Sequence, residues 1–352
     1  MPAARLNLSP PLVQAPMAGV STPAMAAAVC EAGGLGSIAL GASDAAGAAA
    51  MIADLRARTA RPFAVNLFVH AAPHDDADRA AAWIDALAPT FAEVDAVPPT
   101  ALRAIYPSFA EDDAMLALLL ATRPAVVSFH FGLPGVDRIA ALRAAGCLLL
   151  ASVTSPAEAA AARAARAARA AGIDVLVAQG IEAGGHRGVF DPAARDDALG
   201  TLALVRLLAK GSLPVIAAGG IMDGAGVDAA LALGAVAAQL GTAFIACPES
   251  AADDAYRAAL MGPGAAHTVM TRAISGRPAR CLPNRFTALG ERLVAAVPAY
   301  PVAYDAGKAL NAAAKAVGET GYGAQWAGQG APLARAMPAG DLVRVIAGEM
   351  RG

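Results

Sequence analysis

Charged residues are scarce in this sequence of 352 residues, at 16%, and aromatic residues make up only 5%. A chain so poor in charge, with a mean hydropathy of +0.50, raises the question of membrane insertion. Two stretches without a charge, 11–30 and 229–248, reach the length that a bilayer requires, but prolines, glycines and polar side chains interrupt them. Neither is bordered by an aromatic belt or basic flanks. The sequence therefore predicts a soluble protein with no membrane partner, whose strands are buried on both faces.

Cysteines are also few, and they stand far apart without a CxxC pair or a histidine at ligand spacing, at Cys30, Cys147, Cys247 and Cys281. This excludes a zinc ribbon and a disulfide framework, predicts no metal site, and indicates a reducing compartment. The first residues, MPAARLNLSPPL, lack the apolar core of a signal peptide, so we expect a cytoplasmic protein. A net charge of −2 argues against nucleic acid or anionic lipid as a partner.

Short apolar runs alternate with longer alanine-rich segments, which is typical of repeated βα units. The predicted strands are 12–16, 36–40, 63–68, 125–129, 147–153, 175–178, 214–217 and 236–240. The predicted helices between and after them are 22–32, 44–58, 111–122, 136–145, 155–171, 196–210, 223–233 and 250–260. Eight strands, each followed by a helix, predict an α/β fold of the (β/α)8 TIM barrel class.

Two regions exceed the barrel. Residues 70–110 form an insertion after the third predicted strand, and residues 266–352 form a C-terminal helical extension with helical signals at 287–297 and 302–317. The barrel itself is expected to span residues 1–265, insertion included. Because barrel active sites lie at the carboxyl ends of the strands, we expect both additions to cover that mouth.

Several predicted strands end in residues that suit a ligand site. The first runs into Gln14–Gly19, where proline and small residues allow a flat ligand to approach the backbone. The third ends at Asn66, for which a structural hydrogen bond and a ligand are both open. The fourth ends at His130, which is as consistent with a core histidine as with a site residue. After the sixth strand, glycines on both sides of His186 indicate a sharp turn that aims one imidazole into the site.

The last two predicted strands end in glycine turns. Gly219-Gly220 follows the seventh strand, with Asp223 placed to cap the next helix, and Gly241-Thr242 follows the eighth. Barrels commonly bind phosphate with these two loops and a helix N-terminus. Backbone N–H groups and the threonine hydroxyl predict a phosphate site without a lysine.

The C-terminal region adds further polar candidates. Tyr300, Tyr304 and Lys308 are spaced four apart, so they share one helical face. An amphipathic face turned toward a core is the alternative, but two phenols and an ammonium suit an anion better. Farther on, Gln329 stands in a glycine-rich turn, where its amide could reach a ligand.

The strings QAPMAG, SFHFG, QGIEAGGHRG, AAGGI and QLGTAF, in this order and spacing, resemble the nitronate monooxygenases, formerly called 2-nitropropane dioxygenases. The resemblance extends over essentially the whole chain. The AGGH and AAGG segments are shared with flavin-dependent enoyl-acyl-carrier-protein reductases and NADH:quinone reductases. The helix of Tyr300, Tyr304 and Lys308 and the WAGQG turn resemble the class I nitronate monooxygenases more specifically.

The resemblance implies noncovalent FMN in the barrel and assigns roles to the matching residues. His186 is implied as the catalytic residue, and Tyr106, Tyr300, Tyr304 and Lys308 as the lining of the substrate cavity, with His130 nearby. The implied cofactor-binding residues are Ala15, Pro16, Met17, Ala18, Gly19, Asn66, Gln179, Gly184, Gly185, Gly219, Gly220, Gly241, Thr242 and Gln329. Asn66 and Gln179 would hydrogen-bond the flavin, and the last glycine turns would hold its phosphate.

The reaction implied by the resemblance oxidises alkyl nitronates, such as propionate 3-nitronate, with O2 to a carbonyl compound and nitrite, through an anionic flavin semiquinone. His186 would either hold the nitronate as a cation or, when neutral, abstract a proton from a nitroalkane. The nearest alternative is an NAD(P)H-dependent flavin reductase of quinones or enoyl thioesters. A flavin-free lyase or isomerase and a noncatalytic flavin-binding protein are less favoured alternatives. The oligomeric state is predicted as monomer or homodimer.

Overall fold

The computed structural model describes residues 8–73, 76–169 and 172–351. Eight parallel strands form one sheet: β1 Leu12–Gln14, β2 Ser37–Ala39, β3 Ala64–Phe68, β4 Val126–His130, β5 Leu148–Val153, β6 Val175–Gln179, β8 Val215–Ala218 and β9 Ala237–Leu240. Their order in the sheet is β1-β9-β8-β6-β5-β4-β3-β2. A parallel bridge between Val13 and Leu35 joins the two edges, so the sheet closes into a barrel. The predicted (β/α)8 class is confirmed.

The barrel strands are buried on both faces, as the apolar runs predicted. Inside the barrel, one apolar cluster includes Val13, Val126, Leu148 and Ile216. A larger cluster lies between the sheet and the surrounding helices. All six residues of β5 are buried, which explains why this strand reads as a continuous apolar run rather than an alternating one.

Several of the helices around the barrel begin at capping residues that the sequence supplies. Their bounds are α1 Pro23–Glu31, α2 Ala45–Arg58, α4 Asp113–Thr122, α5 Val136–Ala144, α6 Pro156–Arg169, α7 Thr201–Leu208, α8 Gly224–Ala232 and α12 Ala339–Glu349. Thr22 accepts a hydrogen bond from the Met25 N–H at the start of α1. Asp223 accepts one from the Gly226 N–H at the start of α8, as predicted. The last two residues of the helix predicted at 155–171 lie outside the described residues.

Residues outside the barrel form a second core, shared between the insertion and the C-terminal region. The helices of this core are α3 Ala77–Glu93, α10 Arg285–Arg292 and α11 Val302–Ala316, whereas α9 Asp254–Leu260 packs elsewhere. Trp83 and Phe91 of α3 pack in one cluster with Phe286 of α10 and Leu310 of α11. The two additions are therefore one structural unit, the outer unit, although about 155 residues of barrel sequence (111–265) separate them.

A small antiparallel sheet joins this unit to the barrel. It consists of β10 Val269–Thr271, β11 Ala279–Cys281 and β7 Gly185–His186, in the order β10-β11-β7. Ala279 pairs with His186, so the C-terminal region holds the segment that follows barrel strand β6.

The division expected at residue 265 differs from this arrangement. Helix α9 follows the last barrel strand, but its Tyr256 and Leu260 pack in a separate cluster with Val20 and Ile245. Helix α12 instead contacts α1 and α8 and buries Leu342, Val343 and Ile346 against the barrel core. The eighth barrel helix is thus the C-terminal helix, and residues 266–352 do more than cover the mouth. No helix among the described residues is long and apolar enough to cross a membrane.

Candidate active site

A cavity of about 510 Å3 lies at the carboxyl ends of the barrel strands. Its wall contains both strand-end loops and residues of the outer unit. The predicted residues that line it are Ala15, Pro16, Met17, Ala18, Gly19, Asn66, Tyr106, His130, Gln179, Gly184, Gly185, His186, Gly219, Gly220, Gly241, Thr242, Tyr300, Tyr304 and Lys308. The folded chain therefore brings together groups from six barrel strand ends, the insertion, the residues just before α11 and α11 itself.

Gln329 is placed differently from the expectation. It is exposed and does not line the cavity, whereas its neighbours Gly328 and Gly330 do. Its backbone N–H donates to the carbonyl oxygen of Glu182 at 2.9 Å. In this structure Gln329 therefore fastens its turn to the loop after β6 through its backbone.

Two glycine turns at the ends of β8 and β9 expose backbone donors to the cavity. Gly219 and Gly220 both have a left-handed backbone, with φ of 121° and 74°, which glycine adopts without strain. Among the described residues, the N–H groups of Gly220, Gly241 and Thr242 have no hydrogen-bond partner. The Thr242 hydroxyl accepts from the Gly328 N–H at 2.9 Å and still has its own proton to donate. These unpaired donors suit an anion such as a phosphate.

His186 lies in the cavity wall, and both its backbone and its ring have hydrogen-bond partners. Its carbonyl oxygen accepts from Nε2 of Gln179 at 2.9 Å and from Nε2 of His130 at 3.2 Å. Its own Nε2 lies 2.8 Å from Oγ of Ser275. Burial, followed by the nearby His130 and Arg277, lowers the pKa of His186 to about 3. The imidazole is therefore neutral at physiological pH.

The two amides that were predicted to contact a flavin already have protein partners. Gln179 uses both ends of its side chain, because its Oε1 accepts from the Gly188 N–H at 2.7 Å while its Nε2 binds His186. Asn66 donates from Nδ2 to Oγ of Ser128 at 2.9 Å, and no described residue binds its Oδ1. Contact of either amide with a flavin stays a prediction. The structure shows that Gln179 also shapes the turn that carries His186.

A buried arginine anchors that same turn, and sequence reasoning did not single it out. Arg187 forms a two-point ion pair with Asp196, with N–O distances of 2.8 and 3.0 Å. It also donates to the carbonyl oxygens of Gln179 and Gly180, both at 3.0 Å. Its side chain is only 1% exposed. Because these partners hold the Arg187 guanidinium at several points, the arginine makes the base of the turn rigid.

Another part of the cavity wall is aromatic. Tyr106, Tyr300 and Phe131 form one buried cluster, against which Tyr304 packs. Burial raises the pKa of Tyr106 to about 12 and that of Tyr300 well above its usual value, so both phenols remain proton donors. The Tyr300 hydroxyl is buried without a partner among the described residues, an arrangement that a ligand would complete.

Lys308 stands at the aromatic side. Its Nζ lies 4.9 Å from the ring centroid of Tyr106 and 5.9 Å from that of Tyr304. Within the described part of the chain it has no carboxylate partner, although Lys315 on the same helix is paired with Asp253. An unpaired ammonium beside neutral phenols gives this side of the cavity a preference for anions.

A closed parallel barrel with a cavity at its strand ends, lined by a neutral histidine, phenols, an ammonium and unpaired N–H groups, is typical of the class of (β/α)8 barrel enzymes. The described residues contain no group of three or more metal-ligating side chains. The chemistry of this cavity depends on its side chains and on the molecules that they bind.

Comparison with known proteins specifies the family. The model of the nitronate monooxygenase family matches residues 3–349. The chain is 60% identical to a nitronate monooxygenase of Paraburkholderia phytofirmans, over 98% of this chain and 93% of that protein. It is 56% identical to a nitronate monooxygenase of Pseudomonas aeruginosa, over 99% and 98% of the two chains. The chain therefore belongs to the nitronate monooxygenase family and is an oxidoreductase.

Two solved structures share the fold over nearly the full length. A nitroalkane oxidase from Streptomyces ansochromogenes is 44% identical and superposes with a TM-score of 0.87, covering 97% of this chain and 95% of that one. FabK from Thermotoga maritima is 28% identical with a TM-score of 0.72, covering 99% and 94%. The barrel and the outer unit therefore occur together in these relatives.

Proposed function

We propose that this enzyme oxidises alkyl nitronates, such as propionate 3-nitronate, with O2 to a carbonyl compound and nitrite, using noncovalently bound FMN. The observation that carries the proposal is that neutral His186 lines one cavity together with the glycine turns and the aromatic cluster beside Lys308. A nitronate is an anion with a small apolar carbon skeleton, and this cavity offers both kinds of contact. The relatives named above support the same reaction.

The residues present fit FMN. The backbone of residues 15–19 and Asn66 would lie along the ring system, with Gly184 and Gly185 beside it. The unpaired N–H groups of the two glycine turns would hold the phosphate, as predicted from the sequence. Bound FMN would supply the acceptor for one electron from the nitronate.

The chain's own residues then bind and orient the substrate. Lys308 and the phenols of Tyr300 and Tyr304 would hold a substrate carboxylate or the nitro oxygens by hydrogen bonds to their protons. Neutral His186 would contact the reacting nitro group from the wall formed by β7. Because Tyr106 and Tyr304 cover this side of the cavity, they also limit the entry of water to the reacting carbon.

The test is oxygen uptake by freshly purified protein. We expect a flavin absorption spectrum, release of FMN on denaturation, and rapid oxygen consumption with propionate 3-nitronate in the absence of NADH. Rapid anaerobic bleaching of the flavin by NADH, without nitronate-driven oxygen uptake, would instead establish the flavin reductase alternative. Protein without bound flavin, and without gain on addition of FMN, would contradict the cofactor assignment.

Oxidation of neutral nitroalkanes is a second candidate activity, favoured by the 44% identity to the nitroalkane oxidase. Such a substrate must lose a proton from carbon, so the cavity-facing nitrogen of His186 would have to accept it. Oxygen uptake with nitroethane, compared with ethyl nitronate, separates the two activities. The monomer or homodimer state and the cytoplasmic location stay predictions.

Lys308 is expected to select substrates that carry a second anionic group. Replacing it with methionine should raise KM for propionate 3-nitronate about tenfold, the scale of one charge-assisted hydrogen bond at a partly solvated site. KM for ethyl nitronate, which has no carboxylate, should change little. Steady-state oxygen uptake with the two substrates measures the difference. Lys315→Met on the same helix is the matched control, and equal effects on both substrates would contradict a carboxylate contact.

A further inference from the structure

Ser275 contacts His186 from the segment between β10 and β11, a segment that the sequence did not mark as functional. It is 1% exposed, and its Oγ lies 2.8 Å from Nε2 of His186. The pairing of Ala279 with His186 in the small sheet keeps the two segments in register. The contact therefore rests on backbone pairing and not on a flexible surface side chain.

The other contacts of the Ser275 hydroxyl indicate where its proton points. Oγ accepts from the Arg277 N–H at 3.4 Å, and it lies 3.4 Å from the Arg277 carbonyl oxygen. Both contacts are long, whereas the contact with His186 is short. A hydroxyl has one proton, which goes to the acceptor with the better distance. By distance, Nε2 of His186 is therefore the better acceptor for the O–H of Ser275.

This donation determines which ring nitrogen of His186 carries the proton. A neutral imidazole has one N–H, and if Nε2 accepts, then Nδ1 must carry it. Nδ1 has no hydrogen-bond partner among the described residues and is not enclosed by protein atoms. Since His186 lines the cavity, the protonated Nδ1 faces the substrate.

The aromatic neighbours keep the ring in this orientation. The His186 ring centroid lies 5.1 Å from that of Trp326, 5.5 Å from that of Tyr300 and 5.6 Å from that of Phe131. Rings on three sides oppose rotation of the imidazole, but packing alone does not choose between tautomers. A polar partner at one nitrogen is needed for that choice, and Ser275 is that partner.

We propose that Ser275 is a positioning residue that keeps Nε2 of His186 as an acceptor, so that the Nδ1–H donates to an oxygen of the bound nitronate. This inference rests on the proposed nitronate oxidation. It specifies that His186 serves the anion as a hydrogen-bond donor without itself being charged. The lone pair needed to deprotonate a neutral nitroalkane is then turned away from the cavity.

The direct test is nitrogen NMR of the holoenzyme labelled in its histidine rings, with the His186 signals identified by their absence in His186→Asn. We expect a protonated Nδ1 and a bare Nε2 in the wild type. A protonated Nε2 in the wild type would overturn the proposal. This readout does not need turnover, so it tests Ser275 even if the enzyme proves inactive on nitronates, a result that would refute the proposed function alone.

Kinetics of Ser275 variants provide the second test. Ser275→Ala should change the tautomer of His186 and raise KM for ethyl nitronate about tenfold, with a smaller effect on kcat. Ser275→Thr keeps the hydroxyl and should retain the wild-type tautomer and most of the affinity. Ser37→Ala, at a buried serine whose Oγ has no partner among the described residues, is the matched control. An unchanged tautomer and an unchanged KM in Ser275→Ala would overturn the proposal, and the wild-type tautomer still decides it if that variant does not fold.

Discussion

Replacing His186 with leucine is expected to lower kcat/KM for propionate 3-nitronate about a hundredfold, the scale found when a single donor to a developing or bound anion is removed. Leucine fills a similar volume but has no N–H. FMN content should be retained, because the flavin is expected to contact the backbone of this turn and not the imidazole. Oxygen uptake and the flavin absorbance per protein measure the two quantities. Wild-type turnover in the leucine variant would contradict any role of His186 in the reaction.

A comparison of two substitutions distinguishes a donor from a base at this position. The amide of asparagine can place an N–H near the position of Nδ1, but it cannot accept a proton from carbon at physiological pH. If His186 donates to the nitronate, His186→Asn should retain several times more activity than His186→Leu. If it acts as a base on a nitroalkane, both variants should be equally inactive with that substrate.

The pH dependence separates a neutral from a charged His186. With its pKa lowered to about 3, the imidazole remains neutral from pH 5 to pH 9, so kcat/KM for a nitronate should show no inflection from this group in that range. A cationic His186 would require the opposite behaviour, because its charge would be lost as the pH rises through about 6.5. A loss of activity near that pH in the wild type, but not in His186→Leu, would contradict the neutral form.

The barrel could be predicted from the sequence because parallel strands buried on both faces give continuous apolar runs. Each predicted strand overlaps an observed one, and the glycine turns after β8 and β9 line the cavity as expected. The strand-end rule of barrels then placed the candidate residues together without any knowledge of distances. Nineteen of the twenty predicted site residues line one cavity, and the strand-end rule accounts for those in the barrel, whereas the resemblance to the family supplied Tyr106.

The sequence did not show what supports His186. Strands β7, β10 and β11 have only two or three residues, so they carry no periodicity from which a strand can be predicted. Ser275 and Arg187 stand in segments that look like ordinary turns. Their partners become visible only when the small sheet brings residue 275 to residue 186. One weak signal is present in the sequence, the glycine directly after Ser275. In the structure this glycine adopts a φ of 92° at a tight turn.

The eighth barrel helix was misplaced for a different reason. Order along the chain pairs each helix with the strand before it. This order predicts the helical signal directly after the last strand to be the eighth barrel helix. Helix α12 lies about 100 residues later, and its apolar residues 342, 343 and 346 show only that it packs on something. Which surface it packs on is set by tertiary structure. The C-terminal part of the outer unit, between β9 and α12, is in effect an insertion within the last βα unit.

The other large effect is expected from Gly184→Ala. A Cβ at Gly184 would lie 2.5 Å from the backbone nitrogen of Gly328 and 2.6 Å from the carbonyl carbon of Ala327. Neither neighbour is a flexible side chain, so the turn after β6 and the turn that contains Gly328 would have to separate. We expect a loss of about 1–3 kcal/mol in the free energy of unfolding, as for other overpacked sites. Urea denaturation of the two proteins measures it.

This substitution should reduce function more than its effect on stability suggests. The Gly328 N–H donates to the Thr242 hydroxyl, and Gly184 precedes His186 by two residues. Separating the turns therefore moves both a predicted phosphate ligand and the imidazole that we propose as catalytic. We therefore expect a lower FMN content together with a fall in kcat of at least tenfold, since small misplacements of reacting groups have large effects on rate. Gly348→Ala in α12, where a Cβ would meet no atom within 4 Å, is the matched control and should be neutral or stabilising by up to about 1 kcal/mol. Full FMN content in Gly184→Ala would show that the close contact of the two turns is not needed to form the site.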